Sequence, residues 1–87
     1  YMLLRNHGLL TLGQTVADAF LGMYILERAC RVQILAQSAG AELIEVSEPI
    51  LKGFTAQSEL VLRGMGGQLA WPALLRKLDR TDPSFRS

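Results

Sequence analysis

Apolar and polar positions alternate over the first dozen residues and then settle into a helical period. Met2, Leu3 and Leu4 form a short apolar run, Asn6-His7-Gly8 interrupts it, and Leu9, Leu10 and Leu12 resume it before Gly13. Two short runs on either side of an Asn- and Gly-containing triplet predict two strands about a tight bend. A bend ending in Gly lets the backbone take angles that other residues resist. His7, the one histidine of the chain, stands at that bend, where a side chain projects from a strand end toward whatever the protein meets.

After Gly13 the spacing predicts a long helix. Thr15-x-x-Asp18 has the form of a capping box: the Thr15 hydroxyl can accept from a free backbone N–H, and Asp18 suits the positive helix end. Phe20, Met23, Glu27, Cys30 and Ile34 then fall on one stripe, widened by Val16, Ala19, Leu26 and Ala29. The helix is expected to run to about Ser38 and to stop at Gly40, a residue suited to a left-handed cap. It is too apolar to stand free in water, so it must pack on the strands or on another subunit.

Glu27 is the odd member of that stripe. A carboxylate among Phe20, Met23 and Cys30 is costly unless paired, and Arg31 lies one turn on, where it can supply the pair. Two readings follow: a structural ion pair, which is the simpler, or a buried acid that orients His7 or tunes a site.

Ala41 to Val46 reads as a connection in which Leu43, Ile44 and Val46 could make a brief extended segment. Ser47-Glu48-Pro49 opens a second helix, with Ser47 as N-cap and Pro49 in its first turn. Ile50, Leu51, Phe54, Leu60, Val61 and Leu62 are its apolar set, although Gly53 and Thr55 lower its propensity. Gly64, Gly66 and Gly67 around Met65 lack the Lys-Ser/Thr and the preceding strand of a nucleotide loop, so they read as a hinge. A third helix is expected from about Gln68 to Asp79, with Pro72 in its first turns. Leu69, Trp71, Leu74, Leu75 and Leu78 are its apolar positions, and Trp71 its packing anchor. Arg76, Lys77 and Arg80 suit its negative C-terminal end and form a solvated helix end rather than a phosphate site. Asp82-Pro83-Ser84 ends regular structure, and Phe85 is expected to tuck back as a tail anchor.

Composition narrows the classes. Eighty-seven residues allow one small domain, yet 49% are hydrophobic, which is rich for so short a chain. Part of that apolar surface is expected to lie against something else. The chain begins at Tyr1, inside a predicted strand whose edge would want a neighbour, so residues 1–87 are expected to be the C-terminal part of a longer domain. Nine basic and eight acidic residues, spread along the chain, give a net charge of +1 and argue against nucleic-acid binding. A lone cysteine, Cys30, cannot form an internal disulfide and reads as a buried thiol in a reducing compartment. No secretory signal or membrane-length apolar stretch is present, so no membrane role and a cytoplasmic location are expected.

The stretch Leu3-Leu4-Arg5-Asn6-His7-Gly8-Leu9, followed by Gly13 and the Ala19-Phe20 helix start, resembles the class II aldolase/adducin family. The resemblance continues in Glu27-Arg28-Ala29-Cys30 and Gln33. It returns in Trp71-Pro72-Ala73-Leu74-Leu75-Arg76-Lys77-Leu78-Asp79-Arg80, which is similar to the closing helix of bacterial members and of the adducin head region. It implies an α/β fold: the C-terminal portion of a three-layer α/β/α domain, here two short N-terminal strands followed by about three helices.

The same resemblance implies a metal-dependent carbon–carbon lyase or epimerase. Zinc held by three histidines would bind the oxygens of a sugar phosphate or related hydroxy-carbonyl compound and stabilise the enediolate, while an acidic residue moves the proton. Only His7 matches a ligand position, as the third. The paired His-x-His, the acid/base glutamate and the phosphate-binding residues of the family are absent here. One imidazole does not hold zinc tightly, so these residues alone are expected to be inactive and to act within a homo-oligomer. The alternative from the same family is an adducin-like, non-catalytic scaffold whose apolar helices serve assembly. Without the family context, His7 would read as a turn histidine making a local hydrogen bond.

Overall fold

The alternating N-terminal segment forms an antiparallel hairpin. Strand β1, Met2–Leu4, pairs with β2, Gly8–Leu10, placing Met2 opposite Leu10, Leu3 opposite Leu9 and Leu4 opposite Gly8. The second strand ends at Leu10, opposite Met2, before the apolar run through Leu12 is complete. The structure, a computed structural model, describes residues 1–62 and 66–86.

Helix α1 spans Val16–Ser38 and starts as its sequence dictates. Thr15 takes extended angles, φ −129° and ψ 162°, and its Oγ1 accepts from the Asp18 backbone N–H at 3.1 Å. Asp18 answers the hydroxyl itself: Thr15 Oγ1–H donates to Asp18 Oδ2 at 2.7 Å. The helix closes at Ala39, and Gly40 follows with φ 70°, the left-handed exit expected of it. Helix α2, Glu48–Leu62, begins where the Ser47 carbonyl accepts from the backbone N–H groups of Ile50 and Leu51, at 3.0 and 3.1 Å.

Helix α3 spans Gly66–Thr81 and starts before the expected Gln68. Gly66 and Gly67 are therefore part of its first turn and not of a hinge; Gly64 and Met65 lie outside the described residues, as do the side chains of Val61 and Leu62. The reason is packing. Gly67 is buried against the start of α1, and a Cβ there would lie 2.8 Å from the Ala17 carbonyl carbon. One turn further, Phe20 and Trp71 meet edge to face with centroids 5.2 Å apart, so Trp71 is the anchor its composition suggested. The earlier start sets Pro72 in the second turn of α3, where its missing N–H leaves the Gln68 carbonyl without a helical partner.

The hairpin rests on the same part of α1. The Tyr1 ring covers Gly22, which is buried, and Thr11 Oγ1 donates to the Ala19 carbonyl at 2.8 Å. Past Cys30 the helix stays open to water, with Val32 66% and Ile34 62% exposed, and at its start Val16 is 72% exposed, so the predicted stripe is partly covered only in between. The Ala41–Val46 connection is not a strand, and Ile44 is 96% exposed, because no strand lies beside it to take its backbone hydrogen bonds. On α2, Phe54 and Leu60 are likewise exposed.

Among the described residues no hydrophobic side chain is fully buried. The accessible surface is 7740 Å², against about 5,100 Å² for a compact monomer of this mass. The radius of gyration of 16.3 Å likewise exceeds the ~12 Å of a compact domain of this length. No helix among the described residues is long and apolar enough to cross a membrane.

The C-terminus is tied by charge and not by the aromatic anchor expected at Phe85, which stays 42% exposed. A 3-10 turn, Pro83–Arg86, returns Arg86 to α3. There Arg86 Nε and Nη2 donate to Asp79 Oδ1 and Oδ2, at 2.5 and 2.7 Å. The paired hydrogen bonds hold the Asp79 carboxyl below its ordinary value of 3.8. A lowered carboxyl stabilises the fold above its unfolded value, and that contribution disappears as pH falls through the folded one. Arg86→Ala is expected to return the Asp79 midpoint upward toward 3.8, read by NMR titration of its side-chain carboxyl; an unmoved midpoint would refute the clasp. Trp71→Ala is expected to cost about 1–3 kcal/mol in urea unfolding, less than a fully buried aromatic because the α1–α3 seam is half open to water.

Candidate functional site

The bend at Asn6-His7-Gly8 is built by backbone geometry. The His7 N–H donates to the Leu4 carbonyl at 3.2 Å, closing a β-turn with Arg5 and Asn6 at its centre. Asn6 has φ 61° and is the one non-glycine residue with positive φ among those described, while Arg5 does not share it. That is the type II pattern, which requires a left-handed residue at the third turn position and takes Gly or Asn there. Gly8 follows at φ 133°, a conformation that side chains rarely adopt.

The imidazole of His7 is exposed, and its Nδ1 lies 3.1 Å from the Arg5 carbonyl oxygen. A carbonyl only accepts, so this contact is made with the proton on Nδ1. Nε2 then carries the lone pair, and it has no hydrogen-bond partner among the described residues. An imidazole held by one nitrogen on a backbone carbonyl, with the other open, is how metal-ligating histidines are commonly oriented.

No three His, Cys, Asp or Glu side chains among the described residues are grouped so that they could hold a metal ion. Glu27 belongs to no such group. It is 44% exposed rather than buried, and it accepts from Arg31 Nε at 2.7 Å, with Arg28 Nε 3.9 Å away. Arg28 also lies over the Tyr24 ring, 5.2 Å from its centroid. Sequence spacing identified the Arg31 pair correctly, but the burial expected of this stripe position is only partial. Cys30 is free and half-buried.

Two apolar grooves flank the α1–α3 seam. One, of about 310 Å³, is lined by Phe20, Trp71, Leu74, Leu75 and Leu78 with Lys77 and Thr81 at its edge. The other, of about 370 Å³, is lined by Phe20, Leu21, Tyr24, Ala70, Ala73 and Leu74. Neither includes His7, and their polar groups are the Lys77 ammonium, the Thr81 hydroxyl and the Tyr24 phenol.

Residues 1–34, which hold the hairpin and most of α1, match the family model of the class II aldolase and adducin N-terminal domain. A Pseudomonas aeruginosa protein named, provisionally, as aldolase class 2 is 56% identical over 89 residues, covering 99% of this chain and 34% of its own. A similarly named Caulobacter vibrioides protein is 42% identical over 84 residues, 97% of this chain and 33% of its own. Beta-adducin of Rattus norvegicus is 47% identical over 38 residues, 44% of this chain and 5% of its own. The chain therefore belongs to the class II aldolase/adducin family. It spans about a third of the length of the two bacterial relatives. No solved structure matches it.

The exposed pairing of Glu27 and Arg31 predicts that Glu27→Gln lowers stability by about 0.5 kcal/mol or less in urea unfolding. A loss several times larger would instead indicate a carboxylate with a further partner.

Proposed function

We propose that these residues contribute the third histidine ligand, His7, to the zinc site of a class II aldolase-type enzyme, a carbon–carbon lyase or epimerase acting on a sugar phosphate or related hydroxy-carbonyl compound. The observation that carries the reading is the exposed Nε2 of His7, on a backbone-fixed turn within the segment that matches the family. The fit to zinc is that of one donor: a neutral imidazole nitrogen is a favoured zinc ligand, and the remaining ligands would come from outside residues 1–87. The two bacterial relatives, about three times as long as this chain, leave room for them.

Lewis-acid polarisation of the substrate's hydroxyl and carbonyl oxygens is the chemistry that zinc supplies when bound. The chain's own contribution is positional. The type II turn carries the imidazole, the Arg5 carbonyl holds Nδ1–H, and the hairpin seated on α1 fixes the turn relative to the helices. The acid/base group for proton transfer would come from elsewhere in the polypeptide. Residues 1–87 serve in this reading as the C-terminal portion of a three-layer α/β/α domain. The uncovered faces of α1 and α2 then meet the rest of that domain or another subunit of a homo-oligomer, in a cytoplasmic protein that binds neither nucleic acid nor membrane.

A second reading, a non-catalytic scaffold, is favoured by the match to beta-adducin and by the large uncovered apolar surface. The two part at the metal. In the full-length polypeptide, His7→Ala is expected to reduce bound zinc severalfold or more while the circular dichroism spectrum stays unchanged. Unaltered zinc content would reject the ligand role, and absence of zinc from the unsubstituted protein would favour the scaffold.

A further inference from the structure

We propose that the Arg5-Asn6 turn acts as a tautomer lock: it holds the proton of neutral His7 on Nδ1, so that Nε2 is the donor nitrogen presented outward. Asn6 is the positioning residue. The proposal deepens the ligand reading of His7 and rests on it for its use, but the lock itself is a property of the turn without metal.

The geometry gives each part a task. With φ 61° at Asn6, the turn brings His7 N–H to the Leu4 carbonyl and leaves the Arg5 carbonyl 3.1 Å from His7 Nδ1. The acceptor is the residue two positions back in the chain, so the contact depends on the local dihedrals and on no distant packing. A non-glycine residue tolerates left-handed φ best when it is Asn, whose short polar side chain can satisfy itself locally, and a β-branched residue resists it most. Asn6 therefore combines two requirements: it accepts the positive φ, and it restricts the unfolded chain more than Gly would. The neighbouring Gly8, at φ 133°, is the first residue of β2.

Choice of nitrogen has a chemical consequence. Whichever ring nitrogen bears the proton cannot bind a cation, so a ring that exchanges between tautomers presents a donor at Nε2 for only part of the time. A net hydrogen bond to one tautomer shifts that balance by about threefold or more. An ordered turn thus prepares the ligand before any ion arrives, and the ion meets a single donor atom in a fixed direction.

In the full-length polypeptide the imidazole signals of His7 are assigned by their loss in His7→Ala, which separates them from those of any other histidine. Long-range proton–nitrogen correlation spectra of the metal-free, nitrogen-15-labelled protein at about pH 8.5, where an ordinary imidazole is neutral, report which nitrogen carries the proton. The Nδ1-protonated form is expected to exceed the Nε2-protonated form in the unsubstituted protein and in Asn6→Gly. In Asn6→Val that excess is expected to be lost. An Nε2-protonated majority in the unsubstituted protein overturns the lock, whether or not Asn6→Val folds, and so does an unchanged excess in a folded Asn6→Val. Zinc content of the full-length polypeptide is read separately, so a lock without metal refutes the ligand reading alone, and metal without a lock refutes this one alone.

Discussion

The first two turns of α1 are the surface on which the described structure is assembled. Tyr1 seats on Gly22 and Thr11 on the Ala19 carbonyl, so the hairpin is held there. Helix α3 arrives at the same stretch from another side, with Gly67 against Ala17 and Trp71 against Phe20. The Thr15–Asp18 cap orders the start of that helix and thereby the seats of both neighbours. Short contacts at glycine positions allow approach that any side chain would prevent, which is how a pair of three-residue strands and a half-exposed aromatic pair can still define an arrangement.

That dependence explains which features were legible in the residues. The hairpin, the Thr15 cap, the Gly40 exit, the Ser47 start of α2 and the Glu27–Arg31 pair are all written within a few positions of one another. Local dihedrals and side-chain reach decide them. The start of α3 was not legible, since two adjacent glycines read as a break until the close approach to α1 is known. The tail misled for a related reason. Phe85 is the more apolar choice, but the 3-10 turn directs Arg86 to Asp79 in a bidentate ion pair, and the ring stays 42% exposed with the Arg86 guanidinium over it.

At the candidate site the division is the same. His7 was found from its turn and from the likeness of its neighbours to a family, and the structure adds which of its nitrogens is held by the Arg5 carbonyl. Glu27 was singled out because a stripe position implies burial. Stripe and burial part company here, since Glu27 stays half open to water beside Arg31. A periodic pattern reports that a face is suited to a partner; it does not report that these residues contain the partner.

The uncovered surface bears on how the turn can function. A ligand on an exposed hairpin is held in direction by its own hydrogen bonds, yet its distance from other ligands depends on what fixes the hairpin. Here the hairpin is fixed by α1, and α1 is braced by α3 through the Phe20–Trp71 contact. Loosening that seam would leave the turn's dihedrals intact while letting the hairpin shift as a body. Metal sites lose affinity when ligands are displaced by fractions of an ångström, because coordination distances are tightly set. On the proposed ligand reading, a substitution remote from the imidazole would weaken a shared site without altering the ring's tautomer, whereas a change at Asn6 would alter the ring's presentation without moving the helices. Direction and placement of the donor would then be set by separate parts of the chain.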